Sequence, residues 1–350
     1  MRSTMMDVPL TVTAIMRHGT TSYADSEVVT LTTDSMRRQT YETTGARAAK
    51  LANALRSLGV DGDQRVATLM WNNAEHLEAY LAIPSMGAVL HTLNLRLDPQ
   101  VIGYIADHAG DDVVIVDATL VPLLARVLPH APAIRHVIVA PAEDEAEFVP
   151  PAELVGLGPQ LHSYEALLAD QPATFNWPEV DERSAAAMCY TSGTTGHPKG
   201  VVYSHRSMHL HSMAVCMRGI IGMSDADRVL PVVPMFHANA WGFPYAAVLS
   251  GASLLMPDRF LQPEPLVRLI EAERPTIAGA VPTIWNGLLQ HVRAHGGDLL
   301  PVLRHTSVES STVLCADQRL RRTHALGEAQ RKRIMMSLLI ALPYSTLNFS

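Results

Sequence analysis

The chain has 350 residues, of which 48% are hydrophobic and 17% are charged, and its formal net charge is −7. These values are typical of a globular protein that is large enough for two domains. The acidic balance argues against a surface built mainly to bind the nucleic-acid backbone, although main-chain N–H groups and a single lysine can still hold the phosphates of a nucleotide. We therefore expect no nucleic-acid partner.

The three cysteines, Cys189, Cys216 and Cys315, lie far apart and form no C-x-x-C pair. This spacing predicts buried thiols in a reduced compartment rather than a disulfide framework or a zinc site. No basic start followed by an apolar core opens the chain, and no apolar run approaches the ~20 residues that cross a bilayer. We expect a cytoplasmic protein without a transmembrane segment.

After an N-terminal segment of residues 1–39, helical and strand-like stretches alternate. Residues 40–59 predict a helix, because apolar side chains recur every three or four positions before a glycine ends the run. The next predicted elements are strand 65–70, helix 73–86 and strands 112–116 and 136–140. The strands are short and apolar on both faces, which indicates a mainly parallel sheet covered by helices.

A surface loop is predicted at residues 141–159, which are rich in proline, glutamate and glycine, and a second run of elements follows it. The predicted strands and helices of this run lie at 185–190, 228–233, 254–256 and 276–281 and at 204–221, 239–250, 263–273 and 283–294, respectively. We expect two α/β subdomains, at residues 40–160 and 161–304, and a tail at 305–350.

A segment rich in glycine and hydroxyl groups, TSGTTGHPKG, directly follows the strand at 185–190. Its glycines, Gly193 and Gly196, let the backbone turn its N–H groups inward, and Lys199 adds a positive charge for a polyphosphate. The hydroxyl groups that can bond phosphate oxygens or a magnesium ion belong to Thr191, Ser192, Thr194 and Thr195. The pattern predicts a phosphate-binding loop; the alternative is a plain hairpin turn with a solvated lysine.

This segment differs from a Walker loop, in which Ser or Thr follows the lysine and a helix begins. Here Pro198 precedes Lys199 and Gly200 follows it. The next residues, Val-Val-Tyr at 201–203, are β-branched or aromatic and favour a strand. We therefore expect the loop to join two strands.

The longer stretch YTSGTTGHPKGVVYSHRS resembles the phosphate-loop signature of the AMP-forming adenylating enzymes, and the similarity covers roughly residues 40–295. Within that superfamily the chain is most similar to medium- and long-chain fatty acyl-CoA ligases, through RVATLMWNNAEHLEAYLAIPSMGAVLHTLNLRL, PMFHANAWGFPYAAVLSGASLLMPDRF and VPTIWNGLL. The resemblance implies the N-terminal large domain of the acyl-adenylate-forming fold, with two αβαβα-type subdomains.

The same resemblance implies an enzyme that uses ATP, Mg²⁺ and coenzyme A. A fatty carboxylate would attack the α-phosphorus of ATP to give an acyl-adenylate and pyrophosphate, and the thiol of coenzyme A would then displace AMP. Thr191 would contact magnesium and phosphate, and Lys199 would close the loop. The residues implied to surround the pyrophosphate are Ser192, Gly193, Thr194, Thr195 and Gly196.

Two residues of the MFHANAW segment are implied to serve the acid substrate. His237 would lie beside the reacting carboxylate as a catalytic residue, and Trp241 would gate the fatty-acid tunnel. They would share one helix face if residues from 239 onward are helical. On spacing alone, a core histidine and a packed tryptophan are the alternative.

Three further histidines, His205, His209 and His211, crowd one predicted helix. Only the first two share a helix face, and no carboxylate or cysteine joins them there. We interpret them as a solvated helix face rather than a metal site.

The likeness to the ligases ends near Leu300. Such ligases continue with an adenine-binding segment, a Thr-Glu motif for magnesium, an aspartate for the ribose and a C-terminal domain with a lysine, none of which residues 305–350 resemble. Our hypothesis is that the reading frame is lost near residues 298–305, so that the fold is incomplete and the C-terminal lid domain is absent. We expect little or no full ligase activity, measured as acyl-CoA formation, from this chain alone; translating the downstream DNA in three frames tests the hypothesis.

Two functions of different classes therefore stand: a fatty acid–CoA ligase, and a non-catalytic remnant that binds an acyl group or a nucleotide. A ligase of an aryl or amino acid is a further alternative, but the apolar surroundings of Trp241 in the sequence favour a fatty acid. Peripheral membrane contact and a homodimer are left open.

Overall fold

The computed structural model describes residues 3–141, 149–191, 197–295 and 305–308. Its helices are α1 Val12–Ser22, α2 Tyr41–Ser57, α3 Ala74–Ser85, α4 Pro99–Ala109, α5 Val121–Val127, α6 Tyr164–Ala169, α7 His205–Cys216, α8 Phe243–Ser250, α9 Pro263–Glu273 and α10 Pro282–His295. Its strands are β1 Glu27–Leu31, β2 Met36–Thr40, β3 Arg65–Leu69, β4 Val89–Thr92, β5 Asp111–Asp117, β6 His136–Ala140, β7 Gln160–Ser163, β8 Ala185–Thr191, β9 Lys199–Ser204, β10 Arg228–Pro231, β11 Ser253–Met256, β12 Ile277–Ala280 and β13 His305–Val308.

The strands of the described residues form two sheets. The six-stranded sheet has the order β13-β12-β10-β11-β1-β2 and is parallel except for the edge pair β1–β2. The seven-stranded sheet has the order β7-β6-β5-β3-β4-β8-β9 and is parallel except for the edge pair β8–β9. Parallel strands bring their carboxyl ends to one edge, where ligands bind in open α/β sheets. The predicted α/β class is confirmed.

Capping residues in the sequence fix where several helices begin and end. Thr40 caps α2 and Asn73 caps α3, each through a side-chain oxygen that accepts a main-chain N–H bond from the first turn. Asp98 caps α4 in the same way, Pro99 opens that helix, and Gly110 ends it in the left-handed conformation. These side chains satisfy N–H groups that have no partner within the helix.

Helix α3 lies in the middle of the molecule, and all 12 of its residues are buried. It belongs to one apolar cluster that includes Val28 of the six-stranded sheet and Leu90 of the seven-stranded sheet. Two further clusters pack on the outer faces of the sheets. The two sheets therefore share a core, and the polar residues of α3 must find partners inside it.

Glu78 of α3 is fully buried and meets that requirement through three neighbours. Its carboxylate accepts bonds from Arg47 at 2.7 Å, Tyr164 at 2.7 Å and Gln39 at 3.1 Å. Burial raises the pKa of Glu78, and the positive charge of Arg47 opposes that rise. The sequence alone indicated only that this stretch is helical.

Most predicted elements are confirmed. Strand β6 and helix α9 have the predicted bounds, and most of the others agree within a residue or two. Helix α7 ends at Cys216, before the predicted end at residue 221. Part of the predicted surface loop at 141–159 lies outside the described residues. The tail beyond Val308 lies outside them entirely.

The division of the chain between the two sheets differs from the predicted one. Strands β1 and β2 belong to the six-stranded sheet, although we assigned residues 1–39 to an N-terminal segment. Strands β8 and β9, which flank the predicted phosphate loop, belong to the seven-stranded sheet together with β3 to β7. We had assigned them to a second subdomain that begins at residue 161. Local periodicity predicts a strand but carries no information about its distant partners, and this accounts for the difference.

The predicted helix at 239–250 begins only at Phe243. Residues 238–242 instead have φ values between +45° and +73°, so they form a left-handed turn. His237 and Trp241 therefore do not share a helix face, and that expectation is wrong. The Gly-Phe-Pro sequence at 242–244 explains the late start, because proline is favoured in the first turn of a helix.

Candidate functional site

The predicted phosphate loop joins two antiparallel strands, as its sequence indicates. Thr191, the last residue of β8, pairs with Lys199, the first residue of β9, and both side chains are exposed. Directly opposed residues of an antiparallel pair have Cβ atoms about 5 Å apart. One hydroxyl group and one ammonium group therefore stand together at the end of the hairpin, where an anion can meet both.

Five residues that were predicted to contact phosphate lie outside the described residues: Ser192, Gly193, Thr194, Thr195 and Gly196. Their roles stay predictions. The two described members of the set, Thr191 and Lys199, bound this segment on either side.

A polar cluster, buried except for His108, supports the base of the hairpin. The hydroxyl of Tyr190 lies 2.7 Å from Nδ1 of His108, and its ring packs on His91. His91 in turn lies 2.8 Å from the buried carboxylate of Asp111. Burial raises the pKa of the Tyr190 hydroxyl to about 12, so it stays neutral at physiological pH. Opposite Tyr190, a Cβ at Gly200 would lie 3.3 Å from the tyrosine ring, so a larger residue would disturb this packing.

The segment that carries His237 follows the carboxyl end of β10, and the buried side chain of Asn72 makes three bonds to it. The amide nitrogen of Asn72 donates to the carbonyls of Pro231 at 2.7 Å and Val233 at 2.9 Å. Its amide oxygen accepts from the N–H of Met235 at 2.8 Å. These three bonds fix the path of the chain up to His237, whose own side chain is exposed.

Sequence reasoning missed Asn72. It lies between the predicted strand 65–70 and the predicted helix 73–86, and we assigned it no role.

Trp241 lies half-buried at the far end of the same segment, within the left-handed turn. Its ring meets Phe243 edge-to-face with centroids 6.2 Å apart, and its carbonyl accepts a bond from Nε2 of His211 at 2.9 Å. The indole is thus partly packed and partly open.

A contact between Cys189 and Asn239 brings the hairpin and the His237 segment together. Their Sγ and Oδ1 atoms lie 3.4 Å apart. Thr191 lies two residues beyond Cys189, about 7 Å along the strand, and His237 lies two residues before Asn239. Thr191 and Lys199, which flank the phosphate loop, therefore lie in the same region as His237 and Trp241, near the carboxyl ends of the parallel strands of both sheets.

The three crowded histidines bond to main-chain groups and do not form a solvated face, which corrects our expectation. His205 is fully buried and accepts the N–H of Val12 at 3.3 Å, while His209 lies 3.1 Å from the carbonyl of Thr11. His211 contacts the carbonyl at position 241. They tie helix α7 to the start of α1 and to the left-handed turn.

A pair of carboxylates joins the two sheets beside Asn72. Asp117, at the end of β5, and Asp258, after β11, both accept from the side-chain nitrogen of Asn73, at 3.0 and 3.1 Å. Burial raises the pKa of Asp258 to about 6. Burial and the neighbouring charge of Asp258 also raise the pKa of Asp117 well above its usual range. Sequence reasoning gave no signal for this pair, since its members lie far apart in the chain.

Among the described residues, no cluster of three or more His, Cys, Asp or Glu side chains could hold a metal ion. The Thr191 hydroxyl offers a single oxygen ligand. That donor fits a magnesium ion carried in with a nucleotide, because Mg²⁺ commonly keeps several waters and takes few protein ligands in addition to substrate phosphates. It does not fit a resident metal centre. No helix in the described part of the chain is long and apolar enough to span a bilayer.

Comparison with known proteins extends these observations. The family model described as AMP-binding enzyme matches residues 17–335, past the point near Leu300 where we expected the likeness to end. The predicted boundary at residue 304 stays a prediction.

Two curated relatives have comparable similarity to the chain. A 3-methylmercaptopropionyl-CoA ligase of Ruegeria lacuscaerulensis is 42% identical over 297 residues, which cover 84% of this chain and 54% of the relative. A long-chain-fatty-acid–CoA ligase of Thermus thermophilus is 42% identical over 303 residues, which cover 86% and 53%. The chain thus spans about half the length of these relatives.

Among solved structures, an anthranilate CoA ligase in complex with anthranoyl-AMP superposes with a TM-score of 0.74 and 24% identity, over 87% of this chain and 56% of that one. This likeness shows a common fold. Together with the extent of the family match and the identity of the relatives, it leads to one conclusion: the chain belongs to the family of AMP-binding enzymes.

Proposed function

We propose that the chain is the phosphate- and acid-binding part of a fatty acid–CoA ligase, which activates a fatty acid as its acyl-adenylate and transfers it to coenzyme A. The observation that carries this proposal is the pairing of Thr191 with Lys199 at the end of the β8–β9 hairpin, beside the His237 segment. The 42% identity to a long-chain-fatty-acid–CoA ligase supports the substrate class.

In this proposal the protein supplies position and charge rather than a covalent nucleophile. The fatty carboxylate attacks the α-phosphorus of ATP, and the bond to pyrophosphate breaks as negative charge accumulates on the leaving phosphates. The proposal assigns to Lys199 the neutralisation of those phosphates and to the Thr191 hydroxyl a bond to them, and the pairing of the two residues at the end of the hairpin supports this assignment. The hydroxyl of Thr191 would hold Mg²⁺, and the ion would supply positive charge to neutralise the phosphates.

His237 and Trp241 serve the acid in this proposal. The exposed imidazole of His237 can bond one carboxylate oxygen and leave the other free to attack. The half-buried indole of Trp241 presents apolar surface beside it, which suits a hydrophobic chain better than a charged one. Asn72 and the left-handed turn keep both residues on a fixed backbone.

A shorter acid is the second candidate, because a 3-methylmercaptopropionyl-CoA ligase is also 42% identical to the chain. Both candidates use the same phosphate chemistry and differ only in the space available to the acid. A third candidate, a remnant that binds without catalysis, retains the hairpin but does not turn over ATP.

Exchange of labelled pyrophosphate into ATP distinguishes these candidates. We expect exchange in the presence of octanoate or palmitate, with a smaller rate for 3-methylmercaptopropionate or benzoate, and loss of exchange in K199A. The matched control is K50A, which removes the lysine of helix α2 outside the hairpin and should leave exchange unchanged. Binding of ATP or fatty acid without exchange would refute the ligase proposal and favour the remnant.

A further inference from the structure

Residues 238–242 adopt a backbone conformation that their side chains disfavour. Five consecutive residues have positive φ, and four of them, Ala238, Asn239, Ala240 and Trp241, carry a Cβ. Among residues with a Cβ, asparagine, aspartate and histidine enter this left-handed region most readily. Alanine and tryptophan enter it rarely. The turn therefore depends on contacts with its surroundings, and Asn239 is the residue with a Cβ that tolerates this conformation best.

The side chain of Asn239 is buried and makes the contacts that the turn requires. Its Oδ1 accepts from the hydroxyl of Tyr80 at 3.2 Å and from the thiol of Cys189 at 3.4 Å. The main-chain N–H groups of Ala238 and Asn239 also bond the sulfur of Cys189, which opposes the burial that raises the pKa of this thiol. One side chain thus ties the turn to helix α3 and to strand β8.

Both anchors of Asn239 are themselves fixed. The hydroxyl of Tyr80 also lies 2.5 Å from the carbonyl of Met235, and its ring packs on Tyr245 with centroids 5.3 Å apart. Cys189 pairs in the sheet with Thr92 of β4, whose hydroxyl lies 3.2 Å from Sγ. The anchors hold their places through these bonds, so loss of Asn239 would release the turn rather than displace its supports.

We propose that Asn239 is a positioning residue, which holds the left-handed turn against strand β8 and so aligns His237 and Trp241 with the phosphate hairpin. The proposal rests on the proposed function for its effect on the acid substrate. Its effect on the turn itself can be measured without any substrate. We assign Asn239 no contact with the fatty carboxylate or with the phosphates. It acts through the backbone that connects it to His237 on one side and to Trp241 on the other.

Three substitutions separate the two properties of Asn239. N239D keeps an oxygen acceptor and tolerance of the left-handed region, N239G keeps the tolerance alone, and N239A keeps neither. The matched control is N53A, because Asn53 of helix α2 also bonds main-chain carbonyls, at 2.9 to 3.1 Å, and lies outside the turn.

Two substrate-free measurements report on the turn. The first is hydrogen exchange of the Ala240 amide, which donates to the carbonyl of His237 at 3.2 Å. The second is the ¹⁹F NMR resonance of Trp241 in protein labelled with 5-fluorotryptophan, assigned with W241F. We expect exchange at least tenfold faster and a shifted or split resonance in N239A, a smaller change in N239G, and wild-type behaviour in N53A.

The corresponding functional measurement is the binding of octanoate and of magnesium pyrophosphate to the full chain. N239A should weaken octanoate binding at least tenfold and leave pyrophosphate binding within twofold, because β8 keeps its own strand partners. If N239A does not fold, N239G, which carries no strain at this φ, decides the outcome. Wild-type exchange of Ala240 and an unchanged Trp241 resonance in N239A and N239G would overturn the proposal. Failure of wild-type protein to bind octanoate would instead count against the proposed function.

Discussion

Replacement of Gly242 by alanine offers a direct test of the packing around Trp241. Gly242 ends the left-handed turn at φ +73°, and a Cβ there would overlap Cδ2 of His211 and stand 2.8 Å from its Nε2. The His211 ring must therefore move, and its bond of 2.9 Å to the carbonyl of Trp241 would break. The substitution combines backbone strain with the loss of one specific contact.

The size of the effect follows from these two parts. A left-handed residue with a Cβ costs about 1–2 kcal/mol, and a broken hydrogen bond costs about 1 kcal/mol more. We therefore expect G242A to lower the free energy of unfolding by about 2–3 kcal/mol. The control is G59A: Gly59 has φ +93° with nothing within 4 Å of a Cβ, so only the backbone strain applies.

The assay is urea unfolding of four proteins: G242A, G59A, H211A and the double variant H211A/G242A. In the H211A background the added cost of G242A should fall to that of G59A, which gives a coupling energy of about 1 kcal/mol. Equal destabilisation by G242A and G59A, with no coupling to H211A, would show that His211 does not support the turn.

Three further predictions concern buried titratable groups. As pH rises from 4 to 7, the free energy of unfolding of D258N should increase relative to that of the wild type, by up to about 3 kcal/mol. The reason is that burial raises the pKa of Asp258 to about 6, so its ionisation destabilises the folded state as pH rises; urea unfolding across this range measures the difference. R47A should cost about 3–5 kcal/mol at pH 7, because it leaves Glu78 buried without its cation, and R47A/E78Q should recover part of that loss in thermal unfolding. The imidazole of His205, whose pKa burial lowers to about 4, should stay neutral at pH 5.5 in ¹⁵N NMR spectra.

Each of these three predictions has a clear contrary result. A D258N difference that is flat with pH would mean that Asp258 ionises as it does in water. Unchanged stability of R47A would mean that the remaining bonds to Glu78 suffice. A titration midpoint of His205 near 6.5 would mean that water reaches this side chain. If the imidazole is buried and neutral instead, its protonation costs stability as pH falls from about 6.5 to about 4.

The part of the fold that the sequence predicts well is the part that local chemistry determines. Helices with regular apolar spacing and a clear start, such as α2, which Thr40 caps, and α9, which Pro263 opens, were predicted nearly to the residue. The same holds for β6, whose residues are apolar on both faces. The hairpin was also predicted, because Pro198 and the β-branched run after Gly200 exclude a helix there.

The missed features depend on distant partners. Strand β2 carries two arginines and, among the described strands, lies at the sheet edge beside β1, so its sequence lacks the apolar run that marks the other strands. Most of the left-handed turn was predicted as the start of the helix at 239–250, whereas bonds from Tyr80 and His211 decide its shape. Likewise Asn72 acts on residues about 160 positions later in the chain. No local pattern carries such information.

The most direct test of the phosphate site is a calorimetric titration of the full chain with Mg·ATP at saturating octanoate. We predict that the wild type and K50A bind with equal affinity. K199A should bind ten- to a hundredfold more weakly, which corresponds to the loss of one charge-assisted bond to phosphate, about 1.5–3 kcal/mol. Equal binding by K199A and the wild type would contradict the assignment of the β8–β9 hairpin as the site of the nucleotide phosphates.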